Sequence, residues 1–380
     1  MSANPLTQLS PIGQSVWLDL IRRGMLAPGG EMQKLIDQDG VRGVTSNPAI
    51  FEKAINGSPD YDDEIRALGK QGRDAVGIYE SLAIEDVGRA ADFFRPLYDS
   101  TKGADGFVSL EVSPKLAQDT EGTIVEARRL WKALNRPNVM IKIPGTRAGL
   151  PATRKALSEG INVNITLLFA VERYEAVLEA YVAALEDRVK GGLPIDRIAS
   201  VASFFLSRID TLLDPLIDKA AQGGGSKGDI ARTLPGTIAV ANAKIAYQKY
   251  EAVTSGERWK KLAAKGARPQ RLLWASTSTK NPKYSDTMYV DPLIGPDTVN
   301  TMPMETVAAY RDHGKPASRI REGTADAARK LAQLKEIGVD LAAATQQLED
   351  EGVKKFIDPF EKLLASIEAK RKAVLGSVNA

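Results

Sequence analysis

Short runs of β-branched and other apolar residues alternate with longer stretches in which apolar positions recur every three and four residues, and this alternation persists over most of the chain. Such a pattern predicts βα units around a parallel sheet. Strands are expected near 15–20, 41–46, 106–112, 138–144, 161–167, 198–205, 271–276 and 297–302. Eight is the number at which a parallel sheet of βα units closes, so the expected fold is α/β, a (β/α)8 TIM barrel with additional helices. Helical spacing is clearest over Thr120 to Leu134, Ala170 to Lys190 and Pro303 to Asp312. Two gaps exceed one helix: 48–105, where at least three helical stretches fit, and 209–267. Beyond residue 320 the pattern is helical only, over Asp326 to Lys335, Val339 to Gln347 and Lys354 to Val374. The expected organisation is a barrel over 1–320 with helical insertions near 48–105 and 209–267, and a C-terminal helical extension over 321–380 packed on the same domain.

Composition narrows the chemistry more than the fold. The 51 basic and 48 acidic residues leave a net charge of +3, so neither a nucleic-acid nor a membrane partner is implied. The absence of cysteine removes disulfides, thiolate nucleophiles and cysteine metal sites, and fits a cytoplasmic setting. The N-terminus has no basic segment leading into an apolar stretch, and nowhere do eighteen apolar residues run together. The single histidine, His313, is expected at a helix C-terminus, where a cation complements the last carbonyls. Acid and base work therefore falls to carboxylates and lysine.

One motif is a decoy. Gln222 to Asp229 reads as a flexible connector, and within it Gly224-Gly225-Ser226-Lys227-Gly228 matches the G-x-S-x-G pattern of a hydrolase elbow. An elbow must follow a strand, and this segment follows the helical stretch Asp214 to Ala221. It also lacks the Gly-Lys-Ser/Thr ending of a P-loop.

The informative feature is a cationic amine near the end of an apolar strand: Lys142 between Ile141 and Ile143, followed by Pro144 and Gly145. Burial there disfavours the ammonium and leaves a larger share of free, nucleophilic amine, which can form a Schiff base with a ketone. A lysine that snorkels from the strand end to water is the plain alternative. Other strands also carry polar residues late: Asp19, Asn47 before Pro48, Glu111 two residues after Ser109, Asn164 and Thr166 on one face, and Ser203 and Phe205 on another. Singly, Asp19 or Glu111 reads as half of a structural ion pair. Together, several costly polar groups at one end of a barrel point to a shared ligand.

The chain resembles the transaldolase family, in the form longer than the minimal barrel, within the class I Schiff-base aldolases. The likeness runs from Trp17 to the C-terminal helices and is carried by Val-Thr-Ser-Asn-Pro-Ala-Ile-Phe at 44–51, Val-Ser-Leu-Glu-Val-Ser-Pro at 108–114 and Asn-Val-Asn-Ile-Thr-Leu-Leu-Phe at 162–169. The resemblance implies that Lys142 is the Schiff-base lysine, Asp19 the acid and base at the substrate C4 hydroxyl, and Glu111 a carboxylate acting with Thr166 through a water. Asn47 and Asn164 would hold sugar hydroxyls, beside Ser203 and Phe205. Arg208 matches the family's phosphate-binding arginine. A second family arginine has no counterpart in Ala-Ser-Thr-Ser-Thr-Lys-Asn at 275–281, where Ser276 and Lys280 stand as substitutes.

The implied reaction moves a dihydroxyacetone unit from a ketose phosphate (sedoheptulose 7-phosphate or fructose 6-phosphate) to an aldose phosphate (glyceraldehyde 3-phosphate or erythrose 4-phosphate). It belongs to the non-oxidative pentose phosphate pathway and needs no cofactor and no metal. Self-association is left open. Three other readings compete with this one. Fructose-6-phosphate aldolases are shorter and typically carry tyrosine at the position matched by Phe205. A silent sugar-phosphate sensor predicts loss of Lys142, Asp19 or Glu111, and all three are present. A hydrolase acting through Ser226 has the wrong context.

Overall fold

In the computed structural model, which describes residues 4–376, eight parallel strands close into a barrel in sequence order. They are β1 (Gln14–Leu18), β2 (Val41–Val44), β3 (Val108–Glu111), β4 (Val139–Pro144), β5 (Val163–Leu168), β6 (Ser200–Phe205), β7 (Arg271–Ala275) and β8 (Thr298–Met302). Every expected strand is present; six lie within their expected ranges, while β1 starts one residue earlier and β5 ends one residue later. β1 stops at Leu18, so Asp19 is the first residue past the strand, and Thr45, Ser46 and Asn47 follow β2 in the same way. Most strand positions are buried on both faces, which is why the runs read as nearly continuous apolar segments.

Register fixes the heights of the polar side chains. Glu111 pairs with Lys142 across β3 and β4, and Lys142 pairs with Asn164 across β4 and β5. Three polar residues thus stand at one level of the barrel wall, and Thr166 lies one step higher opposite Pro144. After Ile165 the β5–β6 register shifts, and Leu167 adopts φ of 62°, a left-handed conformation that costs a non-glycine residue energy. The opposite end is closed by Asp105, which bonds Ser15, Trp17, Arg42 and Arg271. Those two arginines hold its carboxyl below the usual range despite burial.

Most helices lie as the periodicity predicts: Thr120–Leu134, Val171–Lys190 and Met304–His313, the last ending at the lone histidine. Segment 48–105 holds three, Pro48–Asn56, Asp62–Lys70 and Ala75–Ser100. Segment 209–267 falls within Ser207–Gln222, Gly225–Ala231, Ile238–Thr254 and Glu257–Ala263.

Two expectations need correction. The connector Gln222 to Asp229 is mostly ordered as helix, because Gly224 and Gly225, with φ of 68° and 62°, turn the chain straight into Gly225–Ala231. Ser226 sits exposed on that helix, after another helix and not after a strand. The stretches Val339 to Gln347 and Lys354 to Val374 form one helix, Leu341–Gly376, preceded by Thr324–Glu336. Leu348, Phe356, Phe360, Leu363 and Ile367 bury one continuous stripe that carries the helix across the expected gap at 348–353 and through Pro359.

Candidate active site

The carboxyl ends of the strands surround a cavity of about 530 Å³. Lys142 projects into its floor from β4. Its Nζ is buried, donates to the Ser46 carbonyl at 3.1 Å, and lies 3.5 Å from Glu111 Oε2. The flanking Ile141 and Ile143, which point to the other face of the strand, are wholly buried and fix β4 in the barrel wall.

Glu111 stands behind the lysine and does not line the cavity. Both its carboxylate oxygens are buried without a hydrogen-bond partner, and so is the Thr166 hydroxyl, which does face the cavity. Burial pushes the Glu111 carboxyl up to about 7, against the opposing pull of Lys142. At neutral pH it therefore divides between acid and base forms, as a group that gives and takes protons requires. Unsatisfied polar atoms at this depth invite a water.

Asp19 lines the same cavity as Lys142 and interacts electrostatically with it. Burial raises its carboxyl above the ordinary range, while Lys142, a hydrogen bond from Thr45 and the charge of Arg208 oppose that rise. Thr45 Oγ1 bonds Asp19 Oδ1 at 2.6 Å and Thr301 Oγ1 at 2.7 Å, so the carboxylate is oriented by a short chain of hydroxyls.

Arg208 opens the helix Ser207–Gln222, with its guanidinium 5.2 Å above the Phe205 ring. Its Nη1 is buried without a partner, and burial lowers its pKa. Ser276, at φ of 56°, bonds the Ser207 hydroxyl at 2.8 Å and lines the cavity beside Arg208. The same helix is anchored by Asp210, which accepts from Tyr289 at 2.9 Å and from the Ala239 amide at 2.8 Å. A forked cation, a serine and a helix N-terminus together suit a phosphate group.

The remaining expected residues divide. Asn47, Ser203, Phe205 and Lys280 line the cavity. Asn47 is partly occupied, since its Oδ1 caps helix Pro48–Asn56 by accepting from the Ile50 amide at 3.0 Å. Asn164 does not line the cavity: its Nδ2 donates to Ser109 at 3.0 Å and its Oδ1 accepts from Ser203 at 2.7 Å. It therefore holds Ser203 in place rather than meeting a ligand directly. Lys280 is exposed and bonds Ser278.

Sequence reasoning missed Thr45, Thr301, Lys53, Glu305 and Phe356, all in the lining. Thr45 and Thr301 were findable as polar residues at strand ends. Phe356 was not, because it belongs to the distant helix Leu341–Gly376 and nothing local marks it.

A (β/α)8 barrel whose buried amine interacts with two carboxylates, in a cavity that also presents an arginine with an unpartnered Nη1, has the organisation of a Schiff-base aldolase. The family model "Transaldolase/Fructose-6-phosphate aldolase" matches residues 16–367. "Transaldolase 2" of Nostoc sp. strain PCC 7120 is 49% identical over 377 residues, 98% of this chain and 99% of the relative. "Transaldolase" of Trichodesmium erythraeum is 49% identical over 98% of this chain and 99% of its own. "Transaldolase" of Thermobifida fusca is 48% identical over 95% of this chain and 96% of its own. The chain belongs to the transaldolase/fructose-6-phosphate aldolase family, and its activity is that of a transaldolase.

Among the described residues no helix is long and apolar enough to cross a membrane, and no group of three or more histidines or carboxylates could hold a metal ion.

Proposed function

We propose that this transaldolase takes fructose 6-phosphate or sedoheptulose 7-phosphate as donor and erythrose 4-phosphate or glyceraldehyde 3-phosphate as acceptor, in the cytoplasm, with Lys142, Asp19, Glu111 and Thr166 as its reacting groups. The observation that carries this reading is the buried Lys142 amine 3.5 Å from Glu111 and within electrostatic reach of Asp19, in a cavity also lined by Arg208, whose Nη1 has no partner.

The amine of Lys142 attacks the C2 ketone and forms a carbinolamine. Glu111 in its acid form, through a water held with Thr166, protonates the departing hydroxyl and leaves the iminium. Asp19 then takes the C4 hydroxyl proton, the C3–C4 bond breaks into the iminium, and an aldose phosphate departs. The dihydroxyacetone enamine that remains attacks the acceptor aldehyde at C3, Asp19 returns its proton to the new hydroxyl, and water added at C2 releases the new ketose from Lys142. Two carboxylates are needed because proton traffic at C2 and at the C4 hydroxyl occurs two carbons apart.

Arg208 and Ser276 would bind the terminal phosphate, with Lys280 at the rim. Asn47 and Ser203 would hold hydroxyls near the amine, Ser203 being fixed by Asn164. Phosphate at the far end suits both donors, because chain length between C2 and phosphate is taken up within one cavity. The absence of cysteine supports a reducing compartment.

The test is to supply fructose 6-phosphate and erythrose 4-phosphate and to follow products. The expected result is sedoheptulose 7-phosphate and glyceraldehyde 3-phosphate in equal amounts. Free dihydroxyacetone as the main product would contradict the transfer assignment.

A further inference from the structure

The cavity floor is covered by a residue from outside the barrel. Phe356, in the middle of helix Leu341–Gly376, is buried, lines the cavity and holds its ring 5.5 Å from Lys142 Nζ. A Schiff base formed at that nitrogen would put its C2 and C3 atoms within reach of the ring.

Packing around the helix is built for this approach. One turn before Phe356, on the same face, stands Gly352, where a methyl group would come within 2.9 Å of Leu167 Cδ2. The glycine costs an interior helix roughly 1 kcal/mol relative to alanine, and here it lets the helix press against the strained end of β5. One turn later Phe360 meets Tyr79 edge-on at 5.4 Å, and Tyr79 meets Phe51 at 5.8 Å. The helix is thereby joined to Pro48–Asn56, the helix that Asn47 caps.

We propose that Phe356 sets the partition of the covalent intermediate between transfer and hydrolysis, by excluding water from the Lys142 enamine. This rests on Lys142 being the Schiff-base residue. Loss of the intermediate needs one water: a proton adds at C3 of the enamine, hydroxide adds at C2 of the resulting iminium, and the C2–N bond breaks. Dihydroxyacetone is released and the amine of Lys142 is restored. Transfer needs the enamine to survive until an aldehyde arrives. An apolar ring over the nitrogen slows the first path by keeping water from C2 and C3 without supplying a proton donor.

The experiment measures, for wild type, Phe356→Leu and Phe356→Ala, free dihydroxyacetone released from fructose 6-phosphate relative to dihydroxyacetone transferred to erythrose 4-phosphate as sedoheptulose 7-phosphate. Phe356→Leu keeps most of the bulk and guards against simple unfolding, which thermal melting would reveal. The expected result is a rise of about fivefold in that ratio for Phe356→Ala and a smaller rise for Phe356→Leu. Lys370→Ala, which breaks the 2.6 Å contact with Asp62 far along the same helix, is expected to leave the ratio unchanged. An unchanged ratio in both Phe356 variants, or an equal rise in Lys370→Ala, would overturn the proposal. Reduction with borohydride in the same samples separates the two readings: a normal Lys142 adduct with an unchanged ratio removes only the role of Phe356, whereas no adduct in wild type removes the Schiff-base assignment itself.

Discussion

Glu111 and Lys142 are in-register neighbours on β3 and β4, with Oε2 and Nζ 3.5 Å apart, so their charges interact while the carboxylate keeps both oxygens free of hydrogen bonds. A fully paired glutamate would be a structural ion partner. A glutamate pushed up to about 7 by burial beside an amine instead suits the proton-carrying role proposed for Glu111.

Stability should register that carboxyl. Its folded value of about 7 lies above the ordinary 4.5 of an unfolded chain, so the native state binds more protons between the two. The stabilising contribution is therefore fully present below about 4.5 and is lost as pH rises through about 7. Glu111→Gln should abolish that part of the pH dependence, and denaturant melts from pH 4 to 8 on both proteins would show it as a difference that grows with pH in favour of the variant. The same substitution should lower kcat by about a hundredfold or more, because the amide cannot carry the proton. Parallel stability curves would contradict the assignment of the raised carboxyl to Glu111.

Phe205 lines the cavity under Arg208 and offers no proton. Phe205→Tyr would place a hydroxyl among the reacting groups, and the release of free dihydroxyacetone from fructose 6-phosphate should rise about tenfold. An enzymatic assay for dihydroxyacetone without acceptor reads this directly, and no gain would count against transfer being protected by the apolar side chain.

The buried, unpartnered Nη1 of Arg208 predicts a phosphate-specific defect. Arg208→Ala should raise KM for fructose 6-phosphate about ten- to a hundredfold, the range of a lost charge-assisted contact, while activity toward unphosphorylated fructose, though poor, changes little. Equal losses on both sugars would move the phosphate elsewhere, with Lys280 or Lys53 as the next cations in the lining.

Most of the barrel was legible because the strands are buried on both faces and leave continuous apolar runs, so a lysine or a carboxylate within one is conspicuous. Lys142, Glu111 and Asp19 stood out for that reason. What stayed hidden was decided by partners distant in sequence. Asn164 looks like a ligand-binding amide beside Lys142, yet Ser109 and Ser203 on neighbouring strands occupy its two polar atoms. Phe356 looks like one member of a helical core stripe, and only the path of the helix over the barrel mouth brings its ring to the amine. The gap expected between the two C-terminal helices, where Gly352 lies, is bridged because the packing of its neighbours overrides local propensity.

The central claim is that Lys142 forms the covalent bond to substrate. Incubation with fructose 6-phosphate, reduction with borohydride and mass mapping of peptides should place a dihydroxyacetone adduct on Lys142. Lys142→Ala should show none, should lose turnover, and should still fold, because Glu111 without its cationic neighbour can remain protonated rather than leave a buried charge. An adduct on another lysine, or transfer activity retained by Lys142→Ala, would contradict the account.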